Sequence, residues 1–496
     1  MYQHPNALAS LALLLWPLVA FALVRWLGPA RGAVATILGG YLLLPPSPVG
    51  LDLPLLPALT KETIPSLSAL GAVLLLARPR PRLLPEGPVA RALLALFLFS
   101  PWGTVLTNSD PVYWGSFALP ALQPREAVGM AMLQAILLLP LLLGRALLAG
   151  EDGARDLLWA LLWGGLAYSL PMLLEVRLAP QINVWVYGFF QHSFEQMMRD
   201  GGFRPIVFLY HGLWAAFLAM TTAAAALALL RHEKGAGQGR RVVGLALAAL
   251  WMLMTLVLCK SLASLLYALA LAPLLLLAPV RLQLALAAAM ALVPLAYPAA
   301  KMAGLVPQER ILALAERVGG EERAFSLAFR FRNEDVLVTR AAERPVFGWG
   351  LWSRNMILEA DTGRELTISD GRWIIVLGIF GWAGLLGEVG LLAWPVLAAW
   401  AARGGREGGR SGGGAGPPQA VAALALIHAV NLVDLVPNAT ATPLTWLLAG
   451  CLLGWAERQR QGAASPAAPR PAMNLATSLV PSLAPATRRP AFETIL

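Results

Sequence analysis

Arginine, histidine, lysine and aspartate stand where an apolar chain has least use for them, so they are the places to look for chemistry. Arg204 and Pro205 follow Gly201-Gly202-Phe203 at the head of a long apolar run, and His211 lies a turn or two further in. Lys260 separates two apolar runs and is followed by Ser261 and Ser264. A later segment carries Arg323, Arg330, Arg332, Arg340, Arg344 and Arg354, and then Asp370-Gly371-Arg372 at the mouth of another apolar run. His428, Asn431, Asp434 and Asn438 recur at spacings that place all four on one helix face. Ionisable groups at membrane depth face the bundle interior or a polar cavity. A guanidinium is always charged and its fork of donors matches phosphate oxygens. A carboxylate or a neutral imidazole beside such a site can accept a proton. This nominates His211 as a catalytic residue, and Arg204, Lys260, Arg330, Arg332, Arg340 and Asp434 as substrate ligands. Each has a plainer reading: surface ion pairs for the arginines, snorkelling for Arg204, an interhelix hydrogen bond for His211, a hairpin tip for Lys260, and a helix N-cap for Asp370.

The elements that must hold these residues are membrane helices. Of 496 residues, 58% are hydrophobic and 13% charged, about half the charge of a soluble protein. The net charge is +10, but the basic residues cluster at the ends of apolar runs, which points to basic cytoplasmic loops and away from nucleic acid. Cys259 and Cys451 lie in apolar runs with no metal-ligand or disulfide spacing. No phosphate loop, dinucleotide fingerprint, zinc helix or nucleophile elbow is present in the sequence, so neither a metal nor a cofactor is expected.

The expected fold is all-α: a polytopic bundle of about twelve or thirteen spans with one large, mainly helical loop. Residues 1–299 form membrane helices with a shorter loop at 175–205, residues 300–371 the large loop, residues 372–457 further membrane helices, and residues 458–496 a disordered cytoplasmic tail. The stretch from Gly404 to Gly416 is expected to be a flexible linker. The short apolar runs 31–46 and 64–77 are Pro-flanked and either could be re-entrant. With the loops richest in Lys and Arg placed in the cytoplasm, both long loops are periplasmic. Between Ala300 and Arg372 eleven basic residues balance eleven acidic ones, so the loop is not a polybasic patch.

The run Pro345-Val346-Phe347-Gly348-Trp349-Gly350 follows an Arg-rich helical segment and precedes Asp370 and a helix carrying Gly378, Gly381 and Gly384. Over roughly residues 190–456 this order resembles the O-antigen ligase and polysaccharide polymerase superfamily. Arg204-Pro205 and Cys259-Lys260-Ser261 look like its earlier motifs. The resemblance implies a bacterial inner-membrane, multi-pass glycosyltransferase of exopolysaccharide or O-antigen synthesis. It implies a polyprenyl-pyrophosphate-linked glycan as donor, a glycan or lipid as acceptor, surrounding membrane lipids, and neither metal nor nucleotide sugar. Ligases carry a histidine where this chain has Ser369-Asp370-Gly371; the resemblance thus implies Asp370 as the catalytic carboxylate at the acceptor hydroxyl, and the departure tilts the expectation towards polymerase. Arg204 and Arg332 are expected to converge on the pyrophosphate, with Arg330 or Arg340 as alternative partners. The rival class is a lipid-linked oligosaccharide flippase or other polysaccharide transporter, but no internal repeat of the transporter kind is evident.

Overall fold

The computed structural model describes residues 4–53, 57–199, 201–403 and 418–464. The expected linker at 404–416 falls wholly outside these, as does the tail from 465 onwards. The chain is a helical bundle whose first half comprises α1 (Ala7–Leu27), α2 (Pro29–Leu43), α3 (Ile64–Leu76), α4 (Pro88–Leu106), α5 (Pro124–Leu147), α6 (Glu151–Leu178) and the short α7 (Ile182–Tyr187). Then come α8 (Gly212–Gly235), α9 (Gly239–Leu258), α10 (Leu262–Leu277), α11 (Val280–Ala291) and α12 (Val293–Met302). The large loop contributes α13 (Gln308–Gly319) and α14 (Glu321–Ala342), followed by α15 (Arg372–Ala402), α16 (Gln419–Asp434) and α17 (Pro443–Ala464). Two small antiparallel hairpins, β1–β2 (Val112–Trp114 with Phe117–Leu119) and β3–β4 (Met198–Arg199 with Gly202–Phe203), are additions to the all-α expectation.

Eight helices among the described residues are long and apolar enough to cross a membrane, so the protein is a polytopic membrane protein with fewer full-length spans than hydropathy suggested. Ile64–Leu76, Leu262–Leu277 and Gln419–Asp434 are apolar but shorter. At 1.5 Å per residue they reach about 20–24 Å, short of a ~30 Å hydrocarbon core. Helix α17 continues to Ala464, so residues 458–464, expected in a disordered tail, are helical. Its Glu457 is anchored by Arg145 of α5 at 2.6 Å.

The bundle is centred on α8 and α16. Nearly all of α16 is buried, as is the Ala223–Ala226 run of α8. Small side chains let backbones approach closely, and that contact drives helix packing where lipid removes the hydrophobic drive.

Helix α15 is broken. Gly381 has φ +63 and ψ −163, a conformation open in practice only to glycine. Residues sixteen apart on a straight helix lie about 24 Å apart, yet Arg372 Nε is 2.6 Å from Glu388 Oε1. The halves therefore fold against each other, and Trp373, Ile374 and Leu377 share one apolar cluster with Leu385 and Val389. Backbone groups freed inside a membrane bundle need partners, and residues 345–350 supply them. Trp382 N donates to Pro345 O (2.8 Å), Ala383 N to Val346 O (3.0 Å), Trp349 N to Gly378 O (2.8 Å) and Gly350 N to Ile379 O (2.9 Å). The Pro-x-Phe-Gly-x-Gly run is thus a backbone plug in a broken helix. Gly348, at φ +67, lies so close to the Ile379 backbone that a Cβ there has no room.

Candidate functional site

Helix α14 crosses the large-loop end of the bundle and presents Arg330 to the α15 entrance. Arg330 Nε lies 3.2 Å from Asp370 Oδ2, and its Nη1 is 3.4 Å from Asn438 Oδ1. Asn438 in turn donates to Asp434 Oδ1 at 3.0 Å, and Thr440 donates to Asp434 Oδ2 at 2.9 Å. The Tyr267 hydroxyl of α10 also hydrogen-bonds Asp434. Asp434 is therefore the buried foot of a polar chain that orients Arg330. Asp370 is not the helix cap: Gly371 occupies that position and no side chain caps it. The Arg330 and Asp370 side chains are 28% and 37% exposed, so the pair opens to water.

The β3–β4 hairpin brings a second set of groups. Arg204 N donates to Met197 O at 2.8 Å, which closes the base of the hairpin. The Arg204 side chain is buried against the first residue of α8, where a Cβ on Gly212 would stand 3.3 Å from its Nε. Lys260, at the α9–α10 tip with φ +53, donates from Nζ to Arg199 O at 2.6 Å. Arg199 itself faces Glu322 of α14 at 3.8 Å.

His211 caps α8. Its Nδ1 accepts the Leu213 N–H at 2.9 Å, which leaves the proton on Nε2. Its ring meets that of His192 edge-on at 4.8 Å. Burial first, then Arg204, His192, Arg330 and Arg199, lower its pKa to about 3. His211 is therefore a neutral hydrogen-bond donor, and the expectation of a catalytic base at this position is corrected: the nitrogen that would take a proton already accepts one from the backbone. The same reasoning applies to His192, whose Nδ1 accepts Ser193 N–H and whose pKa is lowered by burial.

Arg332 and Arg340 do not join this group. Two residues along a helix are turned by about 200°, and ten by about 280° with a rise of about 15 Å. With Arg330 facing Asp370, Arg332 faces outwards; it is exposed, over the Phe325 ring at 6.0 Å. Arg340 is buried between Trp349 (3.3 Å) and Trp114 (5.1 Å) and donates to Arg354 O at 3.1 Å. Burial lowers its pKa, and that of Arg354 likewise.

Several residues that hold the site escaped the sequence reading. Glu175, near the end of α6, accepts the N–H groups of Ile182 (3.0 Å), Ile206 (2.8 Å) and Val207 (2.7 Å), so one buried carboxylate sets the chain that follows Arg204. The signal was a lone acid at the end of an apolar run. Arg199, facing Glu322, ties the β3–β4 hairpin to α14, and Glu388 holds Arg372 at the start of α15. The α16 stripe divides: His428 bonds Leu392 O (2.8 Å) and Asn431 accepts from Thr445 (2.6 Å), which joins helices, while Asp434 and Asn438 serve the site.

The arrangement is suited to holding a multiply charged anion at the end of a helix bundle. Arg199, Arg204 and Arg330 all lower the pKa of a neutral imidazole donor, and Arg330 also pairs with a solvent-open carboxylate. Among the described residues no group of three or more His, Cys, Asp or Glu side chains is placed to hold a metal ion. No protein-family model matches the chain, and no curated protein matches it either.

Proposed function

We propose that this protein is a membrane glycosyltransferase of the O-antigen ligase and polymerase type. It transfers or polymerises a polyprenyl-pyrophosphate-linked glycan on the periplasmic face of a bacterial inner membrane. One observation carries the proposal: Arg199 and Arg204, at the β3–β4 hairpin, and Arg330 of α14, distant in sequence, all act on the His211 ring, while Arg199 faces Glu322 of α14 at 3.8 Å and Arg330 pairs with Asp370 at 3.2 Å. A pyrophosphate ester needs more than one charged donor, and the charge that develops as it departs is best stabilised by donors already in place.

In this reading Arg330 and Arg204 grip the pyrophosphate, with Arg199 and Lys260 shaping the rim and the neutral His211 Nε2–H donating to an oxygen. The Arg330–Asp370 pair is partly exposed, and such pairs contribute about 0–1 kcal/mol. A pyrophosphate therefore draws Arg330 away at little cost and leaves the Asp370 carboxylate facing the acceptor. The acceptor hydroxyl oxygen bonds to the anomeric carbon while the bond from that carbon to the phosphate oxygen breaks. The electron pair leaves with polyprenyl pyrophosphate, and the hydroxyl proton passes to Asp370 and then to water. No nucleotide, metal or other cofactor is required.

The test uses purified protein in detergent with a polyprenyl-pyrophosphate-linked glycan. A second lipid-linked glycan or a lipid A core serves as acceptor. The enzyme gives longer or transferred glycan without vesicles, whereas a transporter gives none. Asp370→Asn keeps the side-chain shape and removes the base, so transfer is expected to fall at least tenfold. Absence of transfer by the wild-type protein to either acceptor overturns the proposal; wild-type rates in the Asn variant remove only the role of Asp370.

A further inference from the structure

Helix α13 is amphipathic, and none of its residues is buried. It packs beside α14; Ile311, Leu312 and Ala315 are half-covered, while Leu314 (61%) and Val318 (55%) are left exposed. At 100° per residue the charges are sorted around that bare edge. Arg310 and Arg317 fall about 40–100° from Leu314 and Val318, whereas Glu309 and Glu316 fall about 140–180° from them. A water-facing helix has no reason to place every arginine beside its exposed leucine and valine and every glutamate opposite.

The position of the hairpin accounts for the pattern. Exposed Met302 and Leu305 lead into α13 directly from the membrane helix α12. At the other end, a Cβ on Gly319 would stand 3.4 Å from Leu262, the first residue of α10. Helix α10 exposes Leu266 and Leu269 along its outer side, and the α11–α12 junction exposes Leu292 and Val293. The bare edge of α13 is thus continuous with surface that meets lipid. At the start of α14, Phe325 is exposed as well.

We infer that α13 lies in the plane of the membrane boundary, with Leu314 and Val318 among the first acyl carbons and Arg310 and Arg317 on the phosphates of anionic lipid headgroups. Apolar side chains with flanking arginines are the requirements for such a helix. The lipid surface then completes the packing of the α13–α14 hairpin and sets the height at which α14 holds Arg330. This surface assignment is independent of the transfer reaction.

Single cysteines test it, since Cys259 and Cys451 are both buried and resist labelling. The full chain is placed in nanodiscs of phosphatidylethanolamine and phosphatidylglycerol. Nitroxide labels are attached at Leu314→Cys, Val318→Cys, Glu309→Cys and Glu316→Cys, all exposed positions that tolerate substitution. Labels at 314 and 318 are expected to be several-fold more accessible to oxygen than to a water-soluble nickel chelate, and labels at 309 and 316 to show the reverse. Charge reversal by Arg310→Glu with Arg317→Glu is expected to raise nickel access at 314. Equal nickel access at all four sites overturns the inference. So does closure of 314 and 318 to both reagents, which would mean that protein covers the edge.

Discussion

The large loop contains two arginine clusters that differ in what their donors meet. Arg354 is fully buried and spends its guanidinium on Trp349 O (3.1 Å), Pro120 O (2.7 Å), Asp110 O (2.9 Å) and Asn108 Oδ1 (3.4 Å). Arg340 is stacked between two tryptophans, and Arg344 pairs with Asp110 (2.8 Å), bonds Thr107 O and lies over Trp349 (4.5 Å). Arg330, on the same helix as Arg340, has one carboxylate at 3.2 Å and one amide at 3.4 Å, and remains open. In the first cluster the protein itself is the ligand: carbonyls of the irregular loop fill an inflexible fork of donors. In the second, the partners are long, polar and replaceable. Residue type is the same in both; saturation of the donors separates a structural arginine from one that can receive an anion.

The sharpest way to break this comparison is to remove a saturated arginine. Arg354→Ala leaves several buried acceptors without a donor, each deficit costing about 1–3 kcal/mol. A loss of about 3 kcal/mol or more is expected, seen as a lowered thermal midpoint in detergent or as failure to recover monodisperse protein. A variant as stable as the parent would remove the distinction.

Arg330→Lys preserves charge but not the fork. Transfer is expected to fall about a hundredfold, the scale for losing one transition-state donor, with the thermal midpoint within a degree or two of the parent. A stability loss matching that of Arg354→Ala would place Arg330 in the structural class.

His211 sharpens the comparison through pH. A histidine in the unfolded chain titrates near 6.5, and in the folded protein His211 titrates at about 3. Between those values the unfolded state binds a proton that the folded state refuses, so stability is complete above about pH 6.5 and declines as pH falls towards 3. Asn also caps helices, so His211→Asn keeps the cap and removes the titration. Thermal unfolding at pH 7.5, 5.5 and 4.5 is expected to show the variant gaining on the parent as pH drops; parallel curves would contradict it.

The smallest effect is expected at Arg332. It is exposed over Phe325, so Arg332→Ala should change transfer less than twofold and stability by no more than about 0.5 kcal/mol. A loss comparable to Arg330→Lys would bring Arg332 back into the site.

Sequence and structure divide along lines of locality. Composition alone determined that lipid is the main solvent, because 13% charged residues cannot clothe a soluble surface of this size. Hydropathy located nearly every helix, and helix-forming periodicity within 300–371 anticipated α13 and α14. Helix length is instead a property of the folded chain: the apolar runs at Ile64–Leu76, Leu262–Leu277 and Gln419–Asp434 form helices of 13, 16 and 16 residues, shorter than a full span. The Pro-x-Phe-Gly-x-Gly run was visible as a motif, but its place as a plug in α15 depends on the helix it plugs. Sequence spacing fixes the angle between Arg330, Arg332 and Arg340 on one helix; it does not fix how that helix is turned towards its neighbours. That rotation is set by contacts from distant segments: Lys301 of α12 against Glu334 and Asp335 at 3.5 and 2.8 Å, and Asn438 and Asp370 against Arg330. Only the tertiary structure decided which arginine faces the site, because the choice depends on groups that meet after the bundle has formed.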